Sequence, residues 1–81
     1  MYYVYIIKSC KDGKLYIGHT NDLIKRLQKH NSGLVKSTSA RRPFKLLYYE
    51  ASNILIDAVL REKSLKTGFG RAYLKRRLKD I

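Results

Sequence analysis

The chain has 81 residues, enough for a single domain spanning 1–81; at this length roughly 60–65 % of the unfolded surface is buried, which excludes a deep cleft between lobes and leaves a substrate lying across one face. Its 44 % hydrophobic content excludes a disordered chain. Eighteen Lys and Arg against six Asp and Glu give a formal +12, an excess that favours a polyanionic partner through counterion release and steering.

Nucleic acid is the expected partner, with an acidic membrane or acidic protein as the lesser alternative and a merely solubilising surface as the plain one. Residues 1–31 hold six basic and two acidic side chains, and residues 32–81 hold twelve and four. The single cysteine, Cys10, has no partner for an internal disulfide, which suits a reducing cytoplasm. The opening run MYYVYIIKSC is too short to span a bilayer and is interrupted by Lys8, and it lacks the basic start and cleavage site of a signal peptide. A cytoplasmic protein without membrane contact is the expectation.

In chain order, residues 2–8 (YYVYIIK) are β-branched and aromatic and read as a strand. Residues 9–13 (SCKDG) carry turn chemistry, and 14–18 (KLYIG) read as the second strand of a hairpin. Thr20 or Asn21 caps a helix running through DLIKRLQKH to Asn31-Ser32-Gly33, with Leu23, Ile24 and Leu27 as its buried stripe. Residues 33–44 form a polar loop closed by Pro43, which disfavours helix at Arg42. Residues 45–51 (KLLYYEA) read as a third strand. Ser52 or Asn53 caps a second helix, ILIDAVLREKSLK, and a last helix runs from about Arg71 to Lys79 with Leu74, Leu78 and Ile81 as its seam. The order β-β-α-β-α-α predicts an α+β fold, a three-stranded antiparallel sheet flanked by helices.

The second helix carries an anomaly. Leu55, Ala58, Val59, Glu62 and Leu65 lie at offsets 0, 3, 4, 7 and 10, a single helical face on which four residues are apolar and one is a carboxylate. A carboxylate on a packed stripe requires a cation or donors. Either a buried pair with Arg or Lys meets that need, or a divalent cation completed by waters and substrate phosphate. On the first helix Asp22, Arg26 and His30 share a face at i, i+4, i+8. Arg can fork onto phosphate oxygens and His can move a proton near neutrality; a solvated face with one Asp–Arg pair is the plain alternative. In the hairpin, a four-residue loop from Ser9 to Asp12 sets Lys8 against Gly13 and Tyr5 against Tyr16 on one face of the sheet. One more loop residue separates the two phenols.

These residues together resemble the GIY-YIG nucleases. Val4-Tyr5-Ile6 stands for the first motif, Tyr16-Ile17-Gly18 for the second, and Arg26, His30 and Glu62 follow in order across essentially the whole chain. The compact length is similar to that of the short stand-alone bacterial and archaeal members. The resemblance implies a phosphodiester-cleaving endonuclease acting on DNA more readily than RNA, in repair or recombination. It implies Tyr5 as general base or orienter of the attacking water and Tyr16 as a donor to the scissile phosphate. Arg26 is then the charge stabiliser, His30 a phosphate contact or proton relay, and Glu62 the ligand of one Mg²⁺ or Mn²⁺ ion. Gly18 allows close approach of backbone and substrate. With an ordinary pKa of about 10, Tyr5 needs nearby positive charge to reach phenolate, from Arg26, the metal or Lys14. Three departures stand out: Val4 replaces the first glycine, His19 follows Gly18 where some members carry Lys, and no Asn follows Asn53, so Thr67 or the Gly68–Arg71 turn takes the place of a late Asn. Lys14, His19, Arg41, Arg42, Lys75, Arg76, Arg77 and Lys79 are the expected substrate contacts. A non-cleaving nucleic-acid-binding module and a basic structural protein are the competing readings.

Overall fold

The computed structural model describes residues 1–78. Its elements follow the expected order: β1 (Tyr2–Ser9), β2 (Leu15–Thr20), α1 (Leu23–Asn31), a 3-10 turn (Ser39–Arg41), β3 (Phe44–Ser52), α2 (Leu55–Leu65) and α3 (Gly68–Arg77). The strands form one antiparallel sheet in the order β2-β1-β3. The fold is therefore the expected α+β arrangement, with β1 in the centre.

The central strand is buried on both faces, and its alternation sorts its side chains between two cores. Val4 and Ile6 point to one face, where they meet Ala58 and Leu65 of α2 and Leu74 of α3. Tyr5 and Ile7 point to the other, where Phe44, Leu23, Leu27 and Tyr16 surround them. α1 thus covers one face and the α2–α3 pair covers the other. Burying side chains on both faces suits a run as apolar as Val4–Ile7.

The hairpin register is neither of the two that the sequence left open. Lys8 pairs with Leu15, Ile7 with Tyr16 and Tyr5 with Gly18, so the connection runs from Ser9 to Lys14. The cause is Ser9, buried at the strand end, whose hydroxyl accepts from the backbone N–H of Lys11 (3.0 Å) and Asp12 (3.1 Å) and donates to the Arg41 carbonyl. Gly13 closes the turn at φ 72°. Because the loop is two residues longer than the four-residue turn, not one, Tyr5 and Tyr16 return to the same face, diagonally and not directly opposed.

Helix boundaries shift for equally local reasons. Asp22, not Thr20 or Asn21, caps α1, accepting from Lys25 N–H at 3.1 Å. Ile24 is 73 % exposed; the stripe that packs inward is Leu23, Leu27 and His30. α2 begins without a side-chain cap, and its first residue, Leu55, is exposed and not part of the buried face. α3 starts at Gly68, earlier than expected, because the Thr67 hydroxyl accepts from Gly70 N–H at 3.2 Å. Ile81 lies outside the described residues.

A polar network ties β3 to α2 and α3. Arg61 holds Glu50 through two bonds of 2.8 and 3.0 Å. Tyr48 donates to Glu50 at 2.7 Å and lies 3.1 Å from the Tyr73 hydroxyl. Arg61 and Arg77 stack over the rings of Tyr73 and Tyr48.

Candidate active site

The site is assembled on the α1-covered face of the sheet. Tyr5 projects from the middle of β1, and directly across from it on β2 stands Gly18. A Cβ at position 18 would sit 2.6 Å from the Tyr5 Oη and 2.8 Å from its Cζ. The glycine therefore makes room for the phenol ring of Tyr5, and not only for an approaching substrate. Tyr16, two residues earlier on β2, lies beside it with ring centroids 6.3 Å apart.

α1 supplies the other two groups. His30, fully buried, places Nε2 2.8 Å from the Tyr5 Oη, and its ring meets that of Tyr16 edge-on at 4.9 Å. Arg26, one turn earlier, donates its Nε–H to the same Tyr5 oxygen at 3.3 Å and also engages Tyr16. The end of α1 is fixed by Asn31, whose amide donates to the Phe44 carbonyl and whose carbonyl accepts from Phe44 N–H at 2.6 Å. Four of the residues expected from sequence, Tyr5, Tyr16, Arg26 and His30, thus meet around one phenol oxygen. Asp22, the third member of the expected α1 face, is used as the helix cap instead.

Electrostatics define the resting protonation state. Burial raises the Tyr5 phenol above its ordinary value, and the Arg26 hydrogen bond and charge only partly oppose this. Burial, then the Arg26 charge, lowers His30 to about 4. At neutral pH the pair is a neutral phenol beside a neutral imidazole. The expected phenolate is not the resting form, and Lys14 is not among the groups that act on Tyr5.

Glu62 approaches from α2 at the β2 edge of the sheet. His19 pairs with Val4 as Gly18 pairs with Tyr5, and its Nδ1 holds one Glu62 oxygen at 2.6 Å while Lys66 Nζ holds the other at 2.8 Å. Burial penalises the Glu62 charge, but the Lys66 and His19 hydrogen bonds keep its carboxyl below the usual range. Its charge reaches Tyr5, where it is the smallest of the influences raising the phenol. Among the described residues no three metal-ligating side chains gather together. A single ionised carboxylate at a surface edge nevertheless fits a magnesium-like ion, which takes one or two carboxylates and fills its remaining positions with water and phosphate. Lys66 is 52 % exposed.

The basic residues divide into two groups. Lys14, Lys66, Arg71 and Lys75 line an open groove of ≈ 790 Å³, floored by Leu15, Ile17 and Leu74 and bordered by Tyr16. It opens on the α2–α3 face and shares Tyr16 with the tyrosine cluster. Lys14 and Lys75 were expected contacts. Arg71 and Lys66 were not: nothing in the spacing of Arg71 sets it apart from other surface cations, whereas Lys66 stands at i+4 from Glu62, a spacing that signals the pair. Arg41 is paired to Asp12 at 2.9 Å and stacks on Phe44, Arg42 lies over Gly33, Arg77 lies over Tyr48, and Arg76 is exposed. Lys79 lies outside the described residues. A further member of the site was invisible in sequence: Thr38, fully buried, with its hydroxyl 2.8 Å from His30 Nδ1. No helix among the described residues is long and apolar enough to cross a membrane.

The GIY-YIG catalytic domain matches residues 1–79. A UPF0213 protein of Staphylococcus saprophyticus is 46 % identical over 67 residues, covering 82 % of this chain and 80 % of the relative. One from Bacillus pumilus is 49 % identical over 67 residues, covering 82 % and 67 %. The solution NMR structure of the UPF0213 protein BH0048 from Bacillus halodurans is 36 % identical and superposes with a TM-score of 0.56, covering 94 % of this chain and 84 % of that one. A sheet of order β2-β1-β3 carrying both tyrosines, with Arg and His on the helix that follows, and a match across nearly the whole length lead to one assignment: the chain belongs to the GIY-YIG family, a family of nuclease domains.

Proposed function

We propose that this domain is a metal-assisted endonuclease that hydrolyses phosphodiester bonds, with DNA preferred over RNA and a role in repair or recombination. The observation that carries the reading is the Tyr5 oxygen held between His30 Nε2 and Arg26 Nε. A phenol oxygen offers one proton and two lone pairs. With its proton directed to His30 and one lone pair occupied by Arg26, a second lone pair remains to orient a water.

Arg26 and Tyr16, both half-buried, receive the scissile phosphate. The transition state gathers negative charge on the phosphoryl oxygens, and the Arg26 guanidinium stabilises it. As the water oxygen attacks phosphorus, the water proton passes to Tyr5 Oη and the phenol proton passes to His30 Nε2; the bond from phosphorus to the leaving oxygen breaks, and that oxygen is protonated by solvent. The bound phosphate offsets the Arg26 charge, the second cause holding His30 down, and so makes the imidazole a better base when substrate is present. The ion that Glu62 would hold supplies Lewis-acid polarisation of the phosphate. His19 and Lys66 hold Glu62 ionised until then. Gly18 leaves the space that the Tyr5 oxygen occupies. The strand leaving the site follows the groove of Lys14, Lys66, Arg71 and Lys75, and Arg42, Arg76 and Lys79 add to the surrounding positive field.

The decisive experiment compares wild type with Glu62→Ala on linear and branched DNA, with magnesium and with EDTA. The expected result is magnesium-dependent cleavage by wild type, loss of about 10²-fold or more in the variant, and nearly unchanged DNA affinity. A second reading, a nucleic-acid-binding module that does not cut, is favoured by one observation: both Glu62 oxygens are already engaged, one by His19 Nδ1 and one by Lys66 Nζ. Binding by wild type without cleavage under any divalent ion would establish that reading.

A further inference from the structure

The loop between α1 and β3 is polar in sequence, yet Thr38 within it is fully buried, and with Ser9 and His30 it makes up the buried polar residues of the described chain. A loop threonine is ordinarily exposed. The Thr38 side chain faces the edge of the His30 ring opposite to Tyr5, with Oγ1 2.8 Å from Nδ1 and 3.4 Å from the Val35 carbonyl.

A neutral imidazole has one N–H donor and one bare nitrogen acceptor, and the partners on the two sides decide which is which. The Val35 carbonyl is an acceptor only, so it takes the Thr38 hydroxyl proton. That leaves a Thr38 lone pair facing Nδ1, which must then carry the N–H. Nε2 is therefore bare. On the far side Arg26 can only donate to Tyr5, so the phenol proton has Nε2 as its acceptor. Every bond in the chain Arg26–Tyr5–His30–Thr38–Val35 runs in one direction. Reversing Thr38 would put a proton on Nε2, and the buried phenol would lose its acceptor, at a cost in stability that buried unpaired donors carry.

From this geometry we infer that Thr38 is a positioning residue: its hydroxyl fixes His30 as the Nδ1–H form, so that Nε2 is ready to take the Tyr5 proton. The catalytic half of this inference rests on the nuclease reading above; the tautomer half does not.

The test is made on the whole domain labelled with ¹⁵N-histidine. Long-range ¹H–¹⁵N correlation spectra should show His30 Nδ1 protonated and Nε2 bare in wild type. Thr38→Val, nearly isosteric, should give the Nε2–H form or a mixture, and Thr38→Ser should restore the wild-type pattern. In single-turnover cleavage of DNA with magnesium, Thr38→Val should be slowed by about 10²-fold, with Thr38→Ser near wild type and DNA affinity in EDTA unchanged in both. Wild-type His30 carrying its proton on Nε2 overturns the inference, even if Thr38→Val does not fold. So does a Thr38→Val protein that keeps the Nδ1–H form or cuts at the wild-type rate. A wild type that shows the Nδ1–H form and cuts nothing upholds the tautomer lock and removes the nuclease reading instead.

Discussion

His30 joins α1 to the sheet through Tyr5 and to the following loop through Thr38, and its burial gives the fold a measurable pH signature. With its pKa lowered from 6.5 to about 4, the folded protein binds fewer protons than the unfolded chain between those values. The His30 contribution to stability must therefore fall as the pH drops through that window and level off below it, by up to about 3 kcal/mol. The carboxylates Glu50 and Glu62, also lowered, begin to contribute only below 4.5, so the upper part of the window belongs to His30. Urea titrations across the range should show the slope in wild type and a flatter one in His30→Gln. At this scale the sequence was informative where side chains recur at fixed spacing: Tyr5, Tyr16, Arg26 and His30 were all legible from motif and helix face. Thr38 was not, because a single threonine in a twelve-residue polar stretch carries no periodic signal. Nor was the contact of Glu62 with His19, 43 residues away, although Lys66 at i+4 from Glu62 is a pairing that helix spacing does signal.

Gly18 determines how closely β2 can lie under the Tyr5 ring. His30 backs the ring on its other side, so the ring cannot retreat from an added Cβ. Gly18→Ala should destabilise the domain by about 1–3 kcal/mol, lowering Tm by roughly 4–8 °C per kcal/mol in a chain of this size. Gly68→Ala, where an added Cβ meets nothing within 4 Å, is the matched control and should hold Tm or raise it; differential scanning calorimetry distinguishes the two. Strand and helix identities were readable because β-branched runs and 3.6-residue stripes are strong local signals. The ends were less so. The hairpin register depended on Ser9 turning its hydroxyl into the loop, and the start of α3 on Thr67, and both are choices among several competent caps.

The excess of cations becomes a directed feature only in the folded molecule, where residues from the hairpin loop, α2 and α3 border one groove next to Tyr16. Lys14, Arg71 and Lys75 have no carboxylate partner among the described residues. The double variant Arg71→Glu, Lys75→Glu should weaken DNA binding broadly across sequences and flatten the dependence of log affinity on log salt by roughly 2, about 0.9 for each phosphate no longer neutralised. Fluorescence anisotropy over a salt series reads both, and an unchanged slope would remove the groove from the DNA path. The composition foretold the partner but not the route, since which cations point together is settled by a sheet pairing distant segments.

Adjacent residues of α2 reach opposite borders of the sheet: Arg61 grips Glu50 on β3 and Glu62 meets His19 on β2. The helix thereby lies like a beam pinned on both flanks at one point along its length. Loosening the remote pin, as in Glu50→Gln, lets the beam roll about its long axis. The acid then leaves its station even though every neighbour of the reactive phenol is intact, and the loss shows as a slower turnover with unaltered substrate affinity.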